Sequence, residues 1–349
     1  MNWTVTRHDL PLSTPFGISR GTSAVSESVV VELTGEGTTG YGGVAPSPYF
    51  GETAESVAAA LPDLLDTVAE AGTPHAGQRI ERRLREEAPD QPAARSAVTV
   101  AVADCAARDL GVPLYRQWGL DPDGVPPTTY TVGLDPPARM AEKAEAAVEA
   151  GFPILKVKLG GGDDRARFDA VREAAPEAEL RVDANGAWGA DEAVEKAGWL
   201  EAGGVTLLEQ PVAAADIEGL GRVTDATATP VCADEACRTA ADVPRLAEAC
   251  DVVNVKLVKC GGPRAARRLV HAADAHGLGT MLGCMVESSA SLAAAVHLAP
   301  LVDYADLDGA LLLGSDPFDG VPIDGDRFDL RAVESGTGVS PAPGWDSRH

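Results

Sequence analysis

The chain has 349 residues, with 53 acidic against 29 basic side chains and a net charge of −24. That length can bury a large core and leaves room for a second, smaller unit. The acidity is spread along the whole chain and works against nucleic acid and anionic membranes, both of which it would repel. No stretch approaches the ~18 apolar residues of a membrane span, and the N-terminus carries no basic, apolar leader, so a cytoplasmic protein is expected. Only six of the basic residues are lysine. With so many carboxylates, the balance resembles that of cytoplasmic proteins from salt-in halophiles, whose hydrated acidic surfaces are screened in concentrated salt. Six cysteines show no CxxC pair, which favours buried reduced thiols over disulfides or structural zinc.

Residues 1–115 read as an α+β unit. Residues 4–10 and 29–34 have strand patterns, and the glycine-rich run 35–43 has turn chemistry. Helical stretches follow at 53–71 and 94–119. From residue 125 the pattern changes to a steady beat. Apolar strand runs begin near Thr129, Leu155, Leu180, Thr206, Pro230, Val252, Thr280 and Tyr304, with amphipathic stretches such as 137–150, 191–202, 239–249 and 263–276 between them. Eight strands alternating with helices predict an α/β fold with a (β/α)8-type barrel over 125–319. An open doubly wound sheet accounts less well for polar residues at nearly every strand end. Residues 320–333 are expected to return to the first unit, as part of a C-terminal segment 320–349, and the last fifteen or so residues to be loose.

Four of the six lysines fall in two strand runs, at Lys156, Lys158, Lys256 and Lys259. Lys156 and Lys158 share one face of their strand, about 6.6 Å apart. At an effective dielectric near 20 their repulsion is about 2.5 kcal/mol, nearly two pKa units, which would draw a lysine toward general-base use at neutral pH. Asp183, Glu209 and Asp234 end three consecutive strands, where barrel active sites lie. Three hard oxygen donors suit Mg²⁺. Lys256, on the sixth strand, stands nearly across the ring from Lys158 on the second. Lys259 is out of register with Lys256 and should point away, as a supporting residue. Asp306 and Asp308 share a face at the eighth strand and either receive a cationic group or cap a helix. Glu287, after the seventh strand, could orient a lysine. The Gly261-Gly262-Pro263 turn either binds an anion at a helix start or simply turns the chain.

Assembled, these motifs resemble the enolase superfamily in its muconate-lactonizing-enzyme branch: Lys-Val-Lys at 156–158, Asp-Ala-Asn at 183–185, Glu-Gln-Pro at 209–211, Ala-Asp-Glu at 233–235 and Asn-Val-Lys at 254–256. Cys-Met-Val-Glu-Ser at 284–288 with Asp-Leu-Asp-Gly at 306–309 looks most like the dipeptide epimerases of that branch. The resemblance implies an isomerase with a capping domain over 1–115 and Mg²⁺ on Asp183, Glu209 and Asp234, with Asn185 in support. Lys158 and Lys256 would move the proton, with Lys156 adding charge. It implies a dipeptide substrate, Ala-Glu or another, whose ammonium group meets Asp306 and Asp308, with Glu287 lining the site. Arg20 matches a capping-loop arginine that meets an acidic side chain; it is otherwise a solvent-exposed arginine. An o-succinylbenzoate synthase-like lyase or a cycloisomerase is the alternative, disfavoured by the Asp306–Asp308 pair. A homo-oligomer without nucleic-acid or membrane partners is expected.

Overall fold

The structure is a computed structural model and describes residues 1–35 and 37–343. Strands β1 (Asn2–Ile18), β2 (Gly21–Gly35) and β3 (Thr38–Val44) form an antiparallel sheet. β1 and β2 run well past the apolar segments that announce them. Backbone pairing continues through polar residues, with an irregularity between Pro11 and Phe16, to the hairpin tip at Ile18 and Gly21. That tip leans on the barrel, where the Leu134 N–H donates to the Gly17 carbonyl at 2.7 Å.

Three helices cover the sheet: α1 (Ala54–Ala71), started by a Thr53–Ser56 capping box, α2 (Gly77–Glu87) and α3 (Pro92–Asp109). α3 is buried almost throughout, because its alanines and short β-branched residues let other elements close on several sides. The helix expected through residue 119 stops at Asp109. Gly111, at φ 65°, and Pro113 break it, leaving the single turn α4 (Leu114–Gln117).

The eight expected barrel strands are present: β4 (Tyr130–Val132), β5 (Ile154–Lys158), β6 (Glu179–Asp183), β7 (Val205–Glu209), β8 (Val231–Ala233), β9 (Val252–Val255), β10 (Gly279–Gly283) and β11 (Tyr304–Asp306). They pair in parallel, each beside its neighbour in sequence. A bridge from Thr128 to Ala305 joins the last strand to the first. The fold is a (β/α)8-type barrel with an N-terminal α+β unit. Outward-facing strand residues meet α5 (Pro137–Glu149), α6 (Asp164–Ala174), α7 (Ala190–Ala202), α8 (Ile217–Ala226), α9 (Val243–Leu246), α10 (Leu257–Cys260), α11 (Pro263–Ala275) and α12 (Ser289–Leu298) in one continuous apolar core. Inside the barrel a small cluster of Leu207, Cys232, Val252 and Met281, with Tyr304 packed on it, leaves the mouth to polar groups.

Three local expectations change. The helix read over 239–249 shrinks to α9, because the Asp242 carboxylate takes the amides of Arg238 and Thr239 and Pro244 follows at once. The Gly261-Gly262 turn packs rather than standing open. A Cβ on Gly262, whose φ is 106°, would lie 1.9 Å from Thr99 Oγ1 of α3. The end of the chain is tied down as far as it is described. The Leu114 N–H donates to the Gly336 carbonyl at 2.7 Å, and β12 (Phe318–Asp319) pairs with β15 (Ser340–Pro341). Residues 344–349 of the segment read as loose lie outside the described residues. Between these points a small hairpin, β13 (Ile323–Asp324) and β14 (Arg327–Phe328), sits beside the foot of the barrel, where the Thr128 N–H donates to the Asp326 carbonyl. Among the described residues no helix is long and apolar enough to cross a membrane.

Asp104 on α3 joins the sheet, the helix and the C-terminal segment. Its fully buried carboxylate accepts from the Tyr41 N–H at 2.8 Å, Arg108 Nε at 2.7 Å, and the Thr337 N–H and hydroxyl at 2.6 and 2.9 Å. Asp104→Ala leaves those donors unpaired, and a loss of about 3 kcal/mol is expected in urea unfolding. A loss below about 1 kcal/mol would show that the segment is held elsewhere.

Candidate active site at the barrel mouth

The sheet register brings the site together. Lys158 pairs with Asp183 across β5 and β6, and Asp183 with Glu209 across β6 and β7, so all three stand at one level of the rim. Asp234 follows β8 and Lys256 follows β9. Lys156 starts one layer lower and reaches up. Its Nζ lies 2.6 Å from Asp306 Oδ2, 2.7 Å from Glu209 Oε2 and 3.2 Å from Asp183 Oδ2. Lys158 Nζ is 2.5 Å from Asp183 Oδ2, and Lys256 Nζ is 2.9 Å from Asp234 Oδ2. Below them Arg181 and Glu179 pair with each other at 2.9 Å.

Lys259 does not point away as its register suggested. The strand ends at Val255 and the chain turns into α10, which swings Lys259 back beneath the rim. Its fully buried ammonium donates to Asp234 Oδ1 and the Asp234 carbonyl, each at 2.6 Å, and to the Asn254 carbonyl at 2.8 Å. Asn185 takes a left-handed φ of 46°, directs its N–H to Asp183 Oδ1 at 2.8 Å, and places its amide 3.2 Å from Glu235 Oε1. Arg20 reaches over from the hairpin tip to Glu235 Oε1 at 2.9 Å and the Asn185 carbonyl at 2.8 Å, with its guanidinium 4.3 Å from the centre of the Tyr49 ring.

The acidic pair at β11 divides its work. Asp306 is engaged by Lys156 and by the Thr129 hydroxyl at 2.6 Å, whereas Asp308 accepts from the Thr131 N–H at 2.6 Å. Glu287 is buried, and the hydrogen bond it accepts comes from the Met285 N–H at 3.3 Å rather than from a lysine. Several supporting residues were not singled out from the sequence. Asn254 Nδ2 donates to Glu209 Oε1 at 2.7 Å, and Gln210 Oε1 takes the amides of Asp234 and Ala236 at 2.9 and 3.1 Å. Gln210 sits within the Glu-Gln-Pro motif, and its φ of 38° marks a position held for geometry. Gly283 keeps a lane open, since a Cβ there would lie 2.9 Å from Lys256 Cε.

Charge sets the site's behaviour. Seven carboxylates (Asp183, Glu209, Asp234, Glu235, Glu287, Asp306, Asp308) meet five cations (Arg20, Lys156, Lys158, Lys256, Lys259), a formal excess of two negative charges when every group is ionised. Burial opposes the Asp183 charge, but Lys158 and Lys156 prevail and hold it down to about 2. Asp234 is likewise lowered against burial, by Lys256 and Lys259. Burial and neighbouring Asp183 raise Glu209 to about 7; burial and Asp306 raise Asp308 to about 7. Burial raises Glu287 to about 7. The repulsion expected to lower the lysines is outweighed at Lys156. Burial opposes its charge, yet Asp306, Glu209 and Asp183 hold its pKa well above the usual lysine value. Lys256 is raised in the same way by Asp234.

As they stand, no three His, Cys, Asp or Glu side chains among the described residues converge at ligand distance, because lysine ammonium groups lie between the carboxylates. The donor set nevertheless fits a divalent ion. It is all hard oxygen, and Lys156 Nζ already bridges Asp183 and Glu209 as a cation. Beside these groups a cavity of about 760 Å³ opens under the hairpin tip, lined by Arg20, Lys156, Lys158, Lys256, Asp306 and Asp308 among others.

The mandelate racemase / muconate lactonizing enzyme N-terminal domain model matches residues 1–119, and the enolase C-terminal domain-like model matches 139–341. The chain belongs to this enolase-superfamily group. It is an isomerase of that family and is similar to its dipeptide epimerases. The L-Ala-D/L-Glu epimerase of Bacteroides thetaiotaomicron is 35% identical over 340 residues, covering 97% of this chain and 88% of that protein. The substrate-liganded L-Ala-D/L-Glu epimerase of Bacillus subtilis superposes with a TM-score of 0.92 at 32% identity, over 97% of this chain and 98% of its own. A dipeptide epimerase of Enterococcus faecalis, complexed with Mg and L-Leu-L-Tyr, gives 0.88 at 34%, with the same coverage.

Lys259→Met strips one of the cations from buried Asp234. Unfolding stability is expected to fall by about 3 kcal/mol, with loss of activity, whereas Lys259→Arg should recover part of both. Wild-type stability in the methionine variant would remove Lys259 from the supporting set.

Proposed function

We propose that the protein is a Mg²⁺-dependent dipeptide epimerase that inverts the α-carbon of the C-terminal residue by two-lysine 1,1-proton transfer. The observation that carries this reading is the placement of Lys158 and Lys256. They stand at β5 and after β9, four strands apart in a ring of eight, so they face the cavity from opposite sides. Asp183, Glu209 and Asp234 would hold the metal, which supplies the positive charge an enolate needs and offsets the carboxylate field on the lysines.

The proton bookkeeping falls to the lysines. One amine takes the α-proton, the Cα–H electron pair passes into the substrate carboxylate as an enolate, and the opposite ammonium returns a proton to the other face of the planar carbon. Lys156, fixed among three carboxylates, keeps its charge beside the developing oxyanion. Asp308 and Asp306 receive the dipeptide's ammonium group, with Glu287 buried behind Met285 and Val286, which line that side of the cavity. Arg20, paired with Glu235 and stacked on Tyr49, shields the mouth from water.

The cavity favours apolar substrate side chains. Leu12, Phe16, Ile18, Phe50 and Leu312 line it, and its one arginine is already matched by a carboxylate. The Leu-Tyr ligand of the Enterococcus protein supports this reading. We read residues 1–115, to which the C-terminal segment returns through Gly336 and Thr337, as the cap and 125–319 as the catalytic barrel. A salt-rich cytoplasm completes the proposal, on the charge balance of 53 acidic residues against 29 basic ones.

Lys158→Met and Lys256→Met, assayed in D₂O, test the mechanism. Each should lower epimerisation by ~10³-fold or more, while the remaining lysine still exchanges the α-proton of one epimer without inversion. Epimerisation near the wild-type rate in either variant would rule out the two-lysine reading.

A further inference from the structure

Away from the barrel mouth, α2 of the cap and α11 of the barrel enclose a second cleft of about 510 Å³. Arg82 and Arg85 line it from α2, and Arg264, Arg267 and Arg268 from α11. Their spacings of three and four residues place them on one face of each helix, so both faces present guanidinium groups to the same space. Only one carboxylate answers them: Glu81, at 3.3 Å from Arg264 Nε and 3.0 Å from Arg268 Nη1. Arg82 and Arg85 are exposed and, among the described residues, make no ion pair. Arg267 lies 5.8 Å over the Trp118 ring, which fixes its direction without neutralising it. The cleft thus carries four uncompensated positive charges in a chain of net charge −24.

Two things follow from that contrast. Neighbouring guanidinium groups repel one another, and a chain with 53 acidic residues had ample means to neutralise them. The overall negative field also repels any long polyanion such as nucleic acid. A compact anion is different: in molar salt the field is screened beyond about 3 Å, so within the cleft it meets the arginines and little else. Guanidinium forks match tetrahedral oxyanions with paired hydrogen bonds.

We propose that the α2–α11 cleft is a binding site for a compact, multiply charged oxyanion of the phosphate class. Because the arginines come from both sides of the seam, the bound anion would clamp the capping helix to the barrel helix, beside the existing Glu81–Arg268 contact. Such a ligand raises the melting temperature by binding the folded state alone.

The test is calorimetric titration of the full chain with pyrophosphate and with ADP, in molar KCl at constant ionic strength and without divalent ions, using wild type and Arg82→Gln/Arg85→Gln. Both substituted residues are exposed and unpaired, so the variant should fold, and its thermal unfolding is recorded alongside. One saturable site, weakened at least ten-fold in the variant and accompanied by a ligand-dependent rise in melting temperature in the wild type only, would support the proposal. Tighter binding of ADP than of pyrophosphate would then identify a nucleotide as the source of the phosphate. Absence of saturable binding, or affinities within two-fold in wild type and variant, would overturn it. The latter result would place the anion among the lysines of the barrel mouth.

Discussion

Seven carboxylates can be buried at one barrel mouth only because five cationic side chains lie among them. An isolated buried carboxylate costs several kcal/mol, and it is tolerated when paired and hydrogen-bonded. Here the pairing is mutual and layered. Lys259 supports Asp234 from below, Lys156 ties Glu209 to Asp306, and Arg20 closes over Glu235 from the β1–β2 hairpin. That hairpin, the short strands of the barrel and the turn into α10 all deliver charge to this one place.

That arrangement separates lysines that look equivalent in the sequence. Lys156 and Lys259 are locked by several acceptors each, whereas Lys158 and Lys256 each meet one carboxylate and border the cavity. In the proposed mechanism a proton carrier must be able to turn toward substrate, and the two singly held lysines have that freedom. The multiply held pair would contribute fixed positive charge instead. The same division runs through Asp306, engaged by Lys156, and Asp308, held through a backbone amide.

Much of this was legible beforehand because strands and their ends obey simple periodicities. The β-strand period of two put Lys156 and Lys158 on one face, and the 25- and 26-residue steps between Asp183, Glu209 and Asp234 aligned them along consecutive strands. Register reasoning failed where the chain left the strand. Lys259 was read as though β9 continued, and the αL cap at Gly261 that closes α10 gives no periodic signal. Helix 239–249 failed for a related reason, since a side-chain acceptor at Asp242 competes locally with helix formation. Asn254 and Gln210 lay inside recognised motifs, but their partners are 45 and 24 residues away and emerge only when the barrel closes. The hairpin's reach over the mouth depends on backbone pairing through polar residues, which hydropathy does not register.

The proposed epimerisation requires two opposed lysines to invert an α-carbon in a cavity suited to apolar dipeptides. Proton NMR in D₂O tests it most directly, with wild-type enzyme, Mg²⁺ and concentrated KCl, on L,L-dipeptides that include Leu-Tyr and Ala-Glu. Loss of the C-terminal residue's α-proton signal is expected, with matching growth of one diastereomer, faster for the apolar peptide. Folded protein that exchanges no α-proton on any member of the panel would contradict it.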